Sequence, residues 1–128
     1  KNGVADRVST QGGDFTKNDF PKNCDVAVMA SNLPQYNREI INQVIQKAFD
    51  ALLPGGEMHL IGEMLDDDRK GPMDAAIWGL MEVMSNSTGL AHSRKDCVQY
   101  FERAGFANIE VHEFIPDILV RVTGTKPT

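Results

Sequence analysis

Residues 24–63 contain the part of the sequence that decides the fold, CDVAVMASNLPQYNREIINQVIQKAFDALLPGGEMHLIGE. Residues 25–30 are apolar and include β-branched side chains, and so short a run favours a strand buried on both faces. In residues 38–53 the apolar side chains recur at helical spacing, which predicts an amphipathic helix. Residues 58–61 predict a second strand. Two buried strands joined by a helix form a parallel crossover, so this stretch predicts a strand–helix–strand unit.

The sequence predicts where this helix begins and where it ends. Asn37 is a favourable N-cap, and Pro54-Gly55-Gly56 cannot continue a helix. The polar face of this helix is predicted to stay in solvent and carries Arg38, Gln43, Gln46 and Lys47.

The flanking residues extend this unit into a larger sheet. Residues 1–7 are similar to the end of a helix, and residues 8–11 predict a short strand. Residues 73–84 return to helical spacing and are rich in methionine, and Ser93 is predicted to cap a further helix that ends near Arg103.

The last strands are predicted over residues 109–112 and 118–124, with a tight turn at Pro116-Asp117. So short a connection requires an antiparallel pair. The predicted fold class is therefore α/β, with a sheet that is parallel at first and ends in an antiparallel hairpin.

Composition excludes several classes of function. The 128 residues carry a formal net charge of −5 and show no concentrated basic face, which argues against nucleic-acid binding. The sequence has no apolar run near the roughly 20 residues that a membrane span needs and no signal-peptide layout, so a soluble cytoplasmic protein is expected. Cys24 and Cys97 lack metal-type spacing, and the acidic residues 66–68 are expected to be solvated, so no metal site is predicted.

Several segments, in order, resemble the carboxyl-terminal half of a class I S-adenosylmethionine-dependent methyltransferase. They are Gly13-Asp14-Phe15, residues 25–36, residues 51–56, Glu63, and Ala104-Gly105-Phe106 before the hairpin. The resemblance is to the small-molecule O-methyltransferase group, which includes plant phenolic, hydroxyindole, and bacterial polyketide and carotenoid enzymes. Residues 3–7 and 47–51 are also similar to bacteriochlorophyllide C-methyltransferases.

The resemblance implies a Rossmann-like sheet of which the chain holds only part, within one catalytic domain spanning residues 1–128. In the family, two further strands, a glycine-rich loop and a helical dimerisation domain precede the matching segment. It also implies S-adenosylmethionine as cofactor, a small-molecule acceptor and a homodimer in the full-length protein. Without the two family strands, residues 1–15 are expected to be rearranged or to pair with another copy.

The resemblance further implies a set of site residues. Asp14 would accept a hydrogen bond from the adenine amine and Phe15 would pack on the ring; the alternative is a turn carboxylate beside a core Phe. Ala30 and Ser31 end a strand where the family backbone faces the methionine part of the cofactor, or they form a plain loop. Glu63 matches an acidic position near the substrate, where it would hold or deprotonate an acceptor.

Two positions depart from the family pattern. Pro34 stands where the group carries a histidine base, and Ala91 where it often has a glutamate that orients that histidine. His92 is a candidate replacement base, and the alternative is a solvated loop histidine. Met64, Met73, Met81 and Met84 either line a substrate pocket or pack between helices.

These patterns predict methyl transfer from S-adenosylmethionine to a small, planar, apolar acceptor, at oxygen or carbon, with weak base assistance. The alternative is a repurposed methyltransferase fold that acts as a binding or dimerisation module.

Overall fold

The computed structural model describes residues 2–85 and 87–128, and within them helices and strands alternate as an α/β fold. The strands are β1 Cys24–Ala30, β2 Leu52–Gly62, β3 Ala107–Ile115 and β4 Leu119–Thr125; the helices are a 3₁₀ helix Leu33–Gln35, α1 Arg38–Ala51, α2 Met73–Met84 and α3 Arg94–Ala104. Asn37 accepts a hydrogen bond from the Ile40 N–H, and Ser93 forms a reciprocal capping box with Asp96. Both predicted N-caps are therefore confirmed.

In the described residues the strands form one sheet in the order β1-β2-β4-β3. β1 pairs with β2 in parallel, and β4 pairs antiparallel with both β2 and β3. The register slips between the Cys24–Leu52 and Val26–Glu57 pairs, because the Pro54-Gly55-Gly56 segment bulges out of the ladder. The predicted parallel pair and terminal hairpin are both confirmed, and α1 ends at Ala51, two residues earlier than expected.

The core lies between one face of the sheet and the helices α1 and α3. Helix α1 contributes Ile41 and Ile45, both 0% exposed, and α3 contributes Phe101, also 0% exposed. The strands contribute Leu60 and Val122 to the same cluster. Full burial of one such side chain stabilises a fold by about 1.5–3 kcal/mol, so these contacts hold the strand–helix–strand unit together.

The prediction that β1 is buried on both faces is wrong. Met29 is buried on the helix side, whereas Val26 is 54% and Val28 64% exposed on the other face. β1 is an edge strand among the described residues, with a neighbour only on its β2 side. A run of β-branched residues indicates a strand but cannot report how many layers cover it.

The prediction for the amino-terminal residues is also wrong. Lys1 lies outside the described residues, and residues 2–7 form a turn closed by the Arg7 N–H and the Val4 carbonyl instead of a helix end. Residues 8–11 form no strand, and Val8 is 59% exposed. A strand needs a ladder partner, and residues 8–11 pair with no described strand.

No helix in residues 2–85 and 87–128 is both long and apolar enough to cross a membrane. The acidic residues 66–68 are exposed, and two of them contact the start of α3: Asp66 pairs with Arg94 at 3.4 Å, and Asp67 accepts a hydrogen bond from the Lys95 N–H. The described residues contain no group of three His, Cys, Asp or Glu side chains arranged to hold a metal ion.

A charged clamp ties the loop after β2 to the start of α3. Asp96 Oδ2 accepts hydrogen bonds from Arg69 Nη2 at 2.6 Å, from Arg38 Nη2 at 3.2 Å and from the Ser93 N–H at 3.0 Å. Partial burial would raise the pKa of Asp96, but the Ser93 N–H and the two guanidinium groups outweigh it and lower this pKa to about 2. The backbone of Leu65 pairs with the His92 carbonyl and the Arg94 N–H beside the clamp.

The clamp makes a prediction for the acid range. Because the pKa of Asp96 is lower in the folded chain, its stabilisation is present above the unfolded pKa near 3.9 and is lost as pH falls towards about 2. Above about pH 5, Asp96→Asn should lower the free energy of unfolding by about 1 kcal/mol, and this gap should close between about pH 4 and 2. Urea unfolding at each pH measures the gap.

Glu102→Gln is the matched control, since it removes one negative charge from an exposed site on the same helix. A gap between the native chain and Asp96→Asn that stays constant down to pH 2 would show that the clamp is not held by charge.

Candidate functional site

The carboxyl ends of β1 and β2 lie at the same edge of the sheet because the two strands are parallel. Ala30 is paired with Ile61, and the Ser31 N–H donates to the Ile61 carbonyl at 3.0 Å. Ser31 has a φ of +62°, a left-handed conformation that turns the chain sharply away from the sheet. Glu63 directly follows β2 and is half-buried, so the structure brings Ala30, Ser31 and Glu63 to one edge.

The loop after β1 is packed against this edge. Leu33 is 0% exposed, and a Cβ added to Gly62 would lie 3.0 Å from the Leu33 Cβ. Pro34 is buried, and its carbonyl accepts a hydrogen bond from the Leu90 N–H at 3.1 Å. Pro34 therefore lies beside the segment that contains Ala91. The two positions that depart from the family pattern are neighbours in space, and neither supplies an ionisable group.

His92 is fixed in the interior, at 0% exposure. Its Nε2 lies 2.8 Å from the Tyr36 carbonyl and its Nδ1 2.8 Å from the Tyr100 hydroxyl. A carbonyl only accepts, so Nε2 carries a proton, and in the neutral ring Nδ1 accepts from the Tyr100 O–H. Burial lowers the pKa of His92, against the opposing effect of the Tyr36 carbonyl.

These contacts differ from both expectations for His92. The ring is not solvated, and its Nδ1 lone pair is engaged by Tyr100, so a small molecule meets no free base here. The imidazole instead joins the loop after β1 to α3. The sequence signals the start of α3 through its N-cap, Ser93. It contains no local pattern showing that the side chain of the preceding residue, His92, points into the core.

Asp14 lies in a tight turn within residues 13–20, a segment that contacts α1. Its Oδ1 accepts from the Thr16 N–H at 3.0 Å and from the Thr16 hydroxyl at 2.6 Å, while its Oδ2 lies 3.4 Å from Lys17 Nζ. The Thr16 hydroxyl, the Thr16 N–H and Lys17 together lower the pKa of Asp14. The carboxylate is therefore ionised at neutral pH and has an oxygen, Oδ2, able to accept a further hydrogen bond.

Phe15 lies between two clefts. A larger cleft of about 430 Å³ runs along the free edge of β1 and is lined by Phe15, Ala30, Val28 and Val44 among others. A smaller cleft of about 280 Å³ is lined by both Asp14 and Phe15. The larger volume falls within the range of small-molecule sites, roughly 300–1,000 Å³. Phe15 and Ala30 thus share one cleft, with Asp14 in the adjoining one, whereas Ser31 and Glu63 line neither.

Two residues that the sequence did not single out hold Phe15 in place. The Tyr36 ring packs edge-on against Phe15, with ring centroids 5.3 Å apart. Lys47 Nζ donates to the Phe15 carbonyl at 2.5 Å and to the Asn18 carbonyl at 2.8 Å. The prediction that Lys47 stays in solvent holds only in part, because these contacts leave the residue half-buried. Its position on the polar face gave no signal of these contacts, which join residues far apart in sequence.

Similar proteins agree with this architecture. The tetracenomycin polyketide synthesis 8-O-methyl transferase of Streptomyces glaucescens is 28% identical over 97% of this chain and 36% of its own length. A solved structure from Nostoc punctiforme PCC 73102 superposes with a TM-score of 0.87 at 23% identity, covering 97% of this chain and 38% of that one. Human N-acetylserotonin methyltransferase, solved in complex with S-adenosylmethionine, gives a TM-score of 0.81 at 21% identity over 98% of this chain and 37% of that one.

The chain spans little more than a third of the length of these relatives. Their fold agrees with the predicted class, including the parallel pair and the antiparallel hairpin at its end. The model of the O-methyltransferase domain family matches residues 1–107. The predicted resemblance to small-molecule O-methyltransferases is confirmed, and the chain belongs to the O-methyltransferase domain family.

Proposed function

We propose that this chain forms part of an enzyme that transfers a methyl group from S-adenosylmethionine to a small, planar, apolar acceptor. One observation carries the proposal: in a chain of the O-methyltransferase family, Phe15 and Ala30 line one cleft and an ionised Asp14 lies beside it. Ligands of open α/β sheets bind at the carboxyl ends of the strands, which is where Ala30 ends β1.

The residues present suit parts of the proposed cofactor. Asp14 Oδ2 faces Lys17 Nζ at 3.4 Å, and its side chain is 47% exposed. A carboxylate oxygen can accept more than one hydrogen bond, so Oδ2 keeps capacity for the adenine amine. Phe15 offers an aromatic ring in the adjoining cleft wall for the purine. Ala30 and Ser31 would present backbone groups to the methionine part, since the chain turns away from the sheet at Ser31.

The acceptor would meet an apolar surface. Helix α2 packs inward through Ala75 and Gly79, and exposes a row of large side chains at helical spacing, Met73, Ile77, Leu80, Met81 and Met84. Methionine adapts to flat apolar ligands, which supports a planar apolar acceptor. Met64 is 0% exposed and belongs to the core instead.

Methyl transfer requires the acceptor to lie in line with the leaving sulfur. When bound, S-adenosylmethionine would supply an electrophilic methyl group on a sulfonium: the acceptor would bond to the methyl carbon as the carbon–sulfur bond breaks, and the neutral thioether would leave. Positioning of the two reactants can contribute about 7–11 kcal/mol, whereas loss of a general base costs about 10²–10⁴-fold in rate. Neither the Pro34 nor the Ala91 side chain can accept a proton. Glu63, which follows the carboxyl end of β2, is therefore the residue that would orient or deprotonate the acceptor. An acceptor that is already nucleophilic, such as an acidic phenol or an activated carbon, suits this site.

A second function follows from the same two positions. The Pro34 carbonyl accepts a hydrogen bond from the Leu90 N–H, next to Ala91 in the chain. By the resemblance, Pro34 and Ala91 stand where the family has a base and the acid that orients it. That substitution favours a binding or dimerisation module on a methyltransferase fold. Transfer of a labelled methyl group to a panel of phenols and activated carbons, by the longest natural polypeptide containing this chain, separates the two functions. A homodimer stays a prediction from the family resemblance, and a cytoplasmic location stays a prediction from the composition of the sequence.

The 128-residue chain by itself should bind S-adenosylmethionine weakly, in the millimolar range or above, because it corresponds to little more than a third of its relatives. Isothermal calorimetry measures this affinity. A dissociation constant in the micromolar range would contradict the idea that the cofactor needs further contacts.

Restoring a base should help a hydroxyl acceptor. Pro34→His combined with Ala91→Glu, in the polypeptide that carries the activity, should raise the rate with a weakly acidic phenol by up to about 10²–10⁴-fold. Initial rates at saturating cofactor measure the effect. Pro34→Gln with Ala91→Glu is the matched control, since glutamine brings polar atoms at residue 34 without the imidazole base, and the glutamate is present in both variants.

A thiol acceptor supplied above its own pKa, where it is already the thiolate, should gain little from the restored pair. If the restored pair folds with an unchanged melting temperature and the phenol rate does not rise, the missing base is not what limits the reaction.

A further inference from the structure

Residues 13–20 need tertiary contacts to keep their shape, because residues 2–23 form turns and loops outside the sheet. Several bonds within the segment shape a turn: the Lys17 and Asn18 N–H groups donate to the Asp14 carbonyl, and Asn18 Oδ1 accepts from the Asp14 N–H at 2.7 Å. These bonds fold the turn on itself. They do not attach it to the rest of the molecule.

Phe15 and Phe20 pack against the hydrophobic core, and Phe15 also contacts the Tyr36 ring. The polar attachment is made by Lys47 on α1. Its ammonium group donates to the Phe15 carbonyl at 2.5 Å and to the Asn18 carbonyl at 2.8 Å, and lies 4.9 Å from the centre of the Phe20 ring. An ammonium has three donors and no acceptor, and two of its donors are used on carbonyls three residues apart. Hydrogen bonds from a charged donor are stronger than neutral ones, and the aromatic face adds a further favourable contact.

Helix α1 is a rigid base for this attachment. Lys47 is flanked by Ala48 and lies one turn after Val44, and both of these side chains are 2% exposed. The same two residues also line the larger cleft beside Phe15. A single helical turn therefore supplies both the wall of the cleft and the tether that holds its aromatic residue.

We propose that Lys47 is a positioning residue that holds Asp14 and Phe15 in the arrangement that recognises adenine. The role rests on the proposed function, since it assigns Lys47 to the same cofactor site. Lys47 acts through the backbone: it fixes the carbonyl of Phe15, and thereby the directions of the Phe15 ring and of the preceding Asp14 carboxylate. It makes no contact with the cofactor itself.

The chain contains a closely matched control. Lys126 Nζ donates to the Phe49 and Leu52 carbonyls, both at 2.8 Å, and lies 4.7 Å from the centre of the Phe49 ring. Lys47→Met and Lys126→Met thus each remove one ammonium, two carbonyl contacts and one aromatic contact. Only the first change affects residues 13–20.

The test compares both variants with the native 128-residue chain by two-dimensional NMR. Amide exchange of Lys17 and Asn18 reports whether the turn keeps the internal bonds that its attachment to α1 stabilises. Titration with adenosine in the millimolar range reports recognition at Asp14 and Phe15. Lys47→Met should exchange about tenfold faster at these amides and bind adenosine about tenfold more weakly. Lys126→Met should match the native chain in both, and Lys47→Arg should recover part of the adenosine affinity.

The melting temperature distinguishes a loss of positioning from a loss of stability, because Lys47→Met and Lys126→Met should lower the melting temperature by similar amounts. Lys47→Met binding adenosine within twofold of the native chain overturns the role of Lys47 and leaves the cofactor site intact. Equal weakening by Lys126→Met also overturns it, since the effect would then come from lost stability. A native chain whose Asp14 and Phe15 signals do not respond to adenosine refutes the proposed adenine site itself.

Discussion

The parallel pairing of β1 with β2 is the constraint on which the rest of the structure depends. Parallel neighbours cannot be joined by a tight turn, so residues 31–51 must cross over the sheet, and α1 makes that crossing with its apolar side on the strands. The crossover gives α1 its buried row and places the ends of both strands at one edge. The antiparallel hairpin then extends the sheet beyond β2 and completes the core against α3.

The candidate site is a consequence of this geometry. Ala30 and Glu63 are 33 positions apart by number, yet parallel pairing brings the ends of their strands together. The packing of the loop after β1 has a chemical consequence as well, because it sets Pro34 against the segment holding Ala91. The chain thus keeps the scaffold of an O-methyltransferase domain while two adjacent positions lack the polar groups that the family resemblance leads one to expect there.

Several charged side chains attach loops to the core through hydrogen bonds. Asp96 gathers Arg38 and Arg69 from two other segments, and Lys47 and Lys126 each satisfy two backbone carbonyls. Isolated ion pairs on a surface contribute little, but these groups bond to backbone atoms or join several segments at once. Their effect is on where loops lie more than on total stability. For the turn at residues 13–20, the tether to α1 replaces the secondary structure that the segment lacks.

The sequence by itself determined the local elements, because caps and periodicity are properties of neighbouring residues. Helix α2 spans Met73–Met84 as its spacing predicts, Asn37 and Ser93 cap their helices, and the family follows from motifs in order along the chain. Only the tertiary structure decided which faces are covered and which polar groups meet. Among the described residues β1 is an edge strand, and His92 is a buried link between Tyr36 and Tyr100. The half-buried Lys47 bonds to residues about 30 positions away. Such contacts depend on the folded positions of distant segments, and no local pattern encodes them.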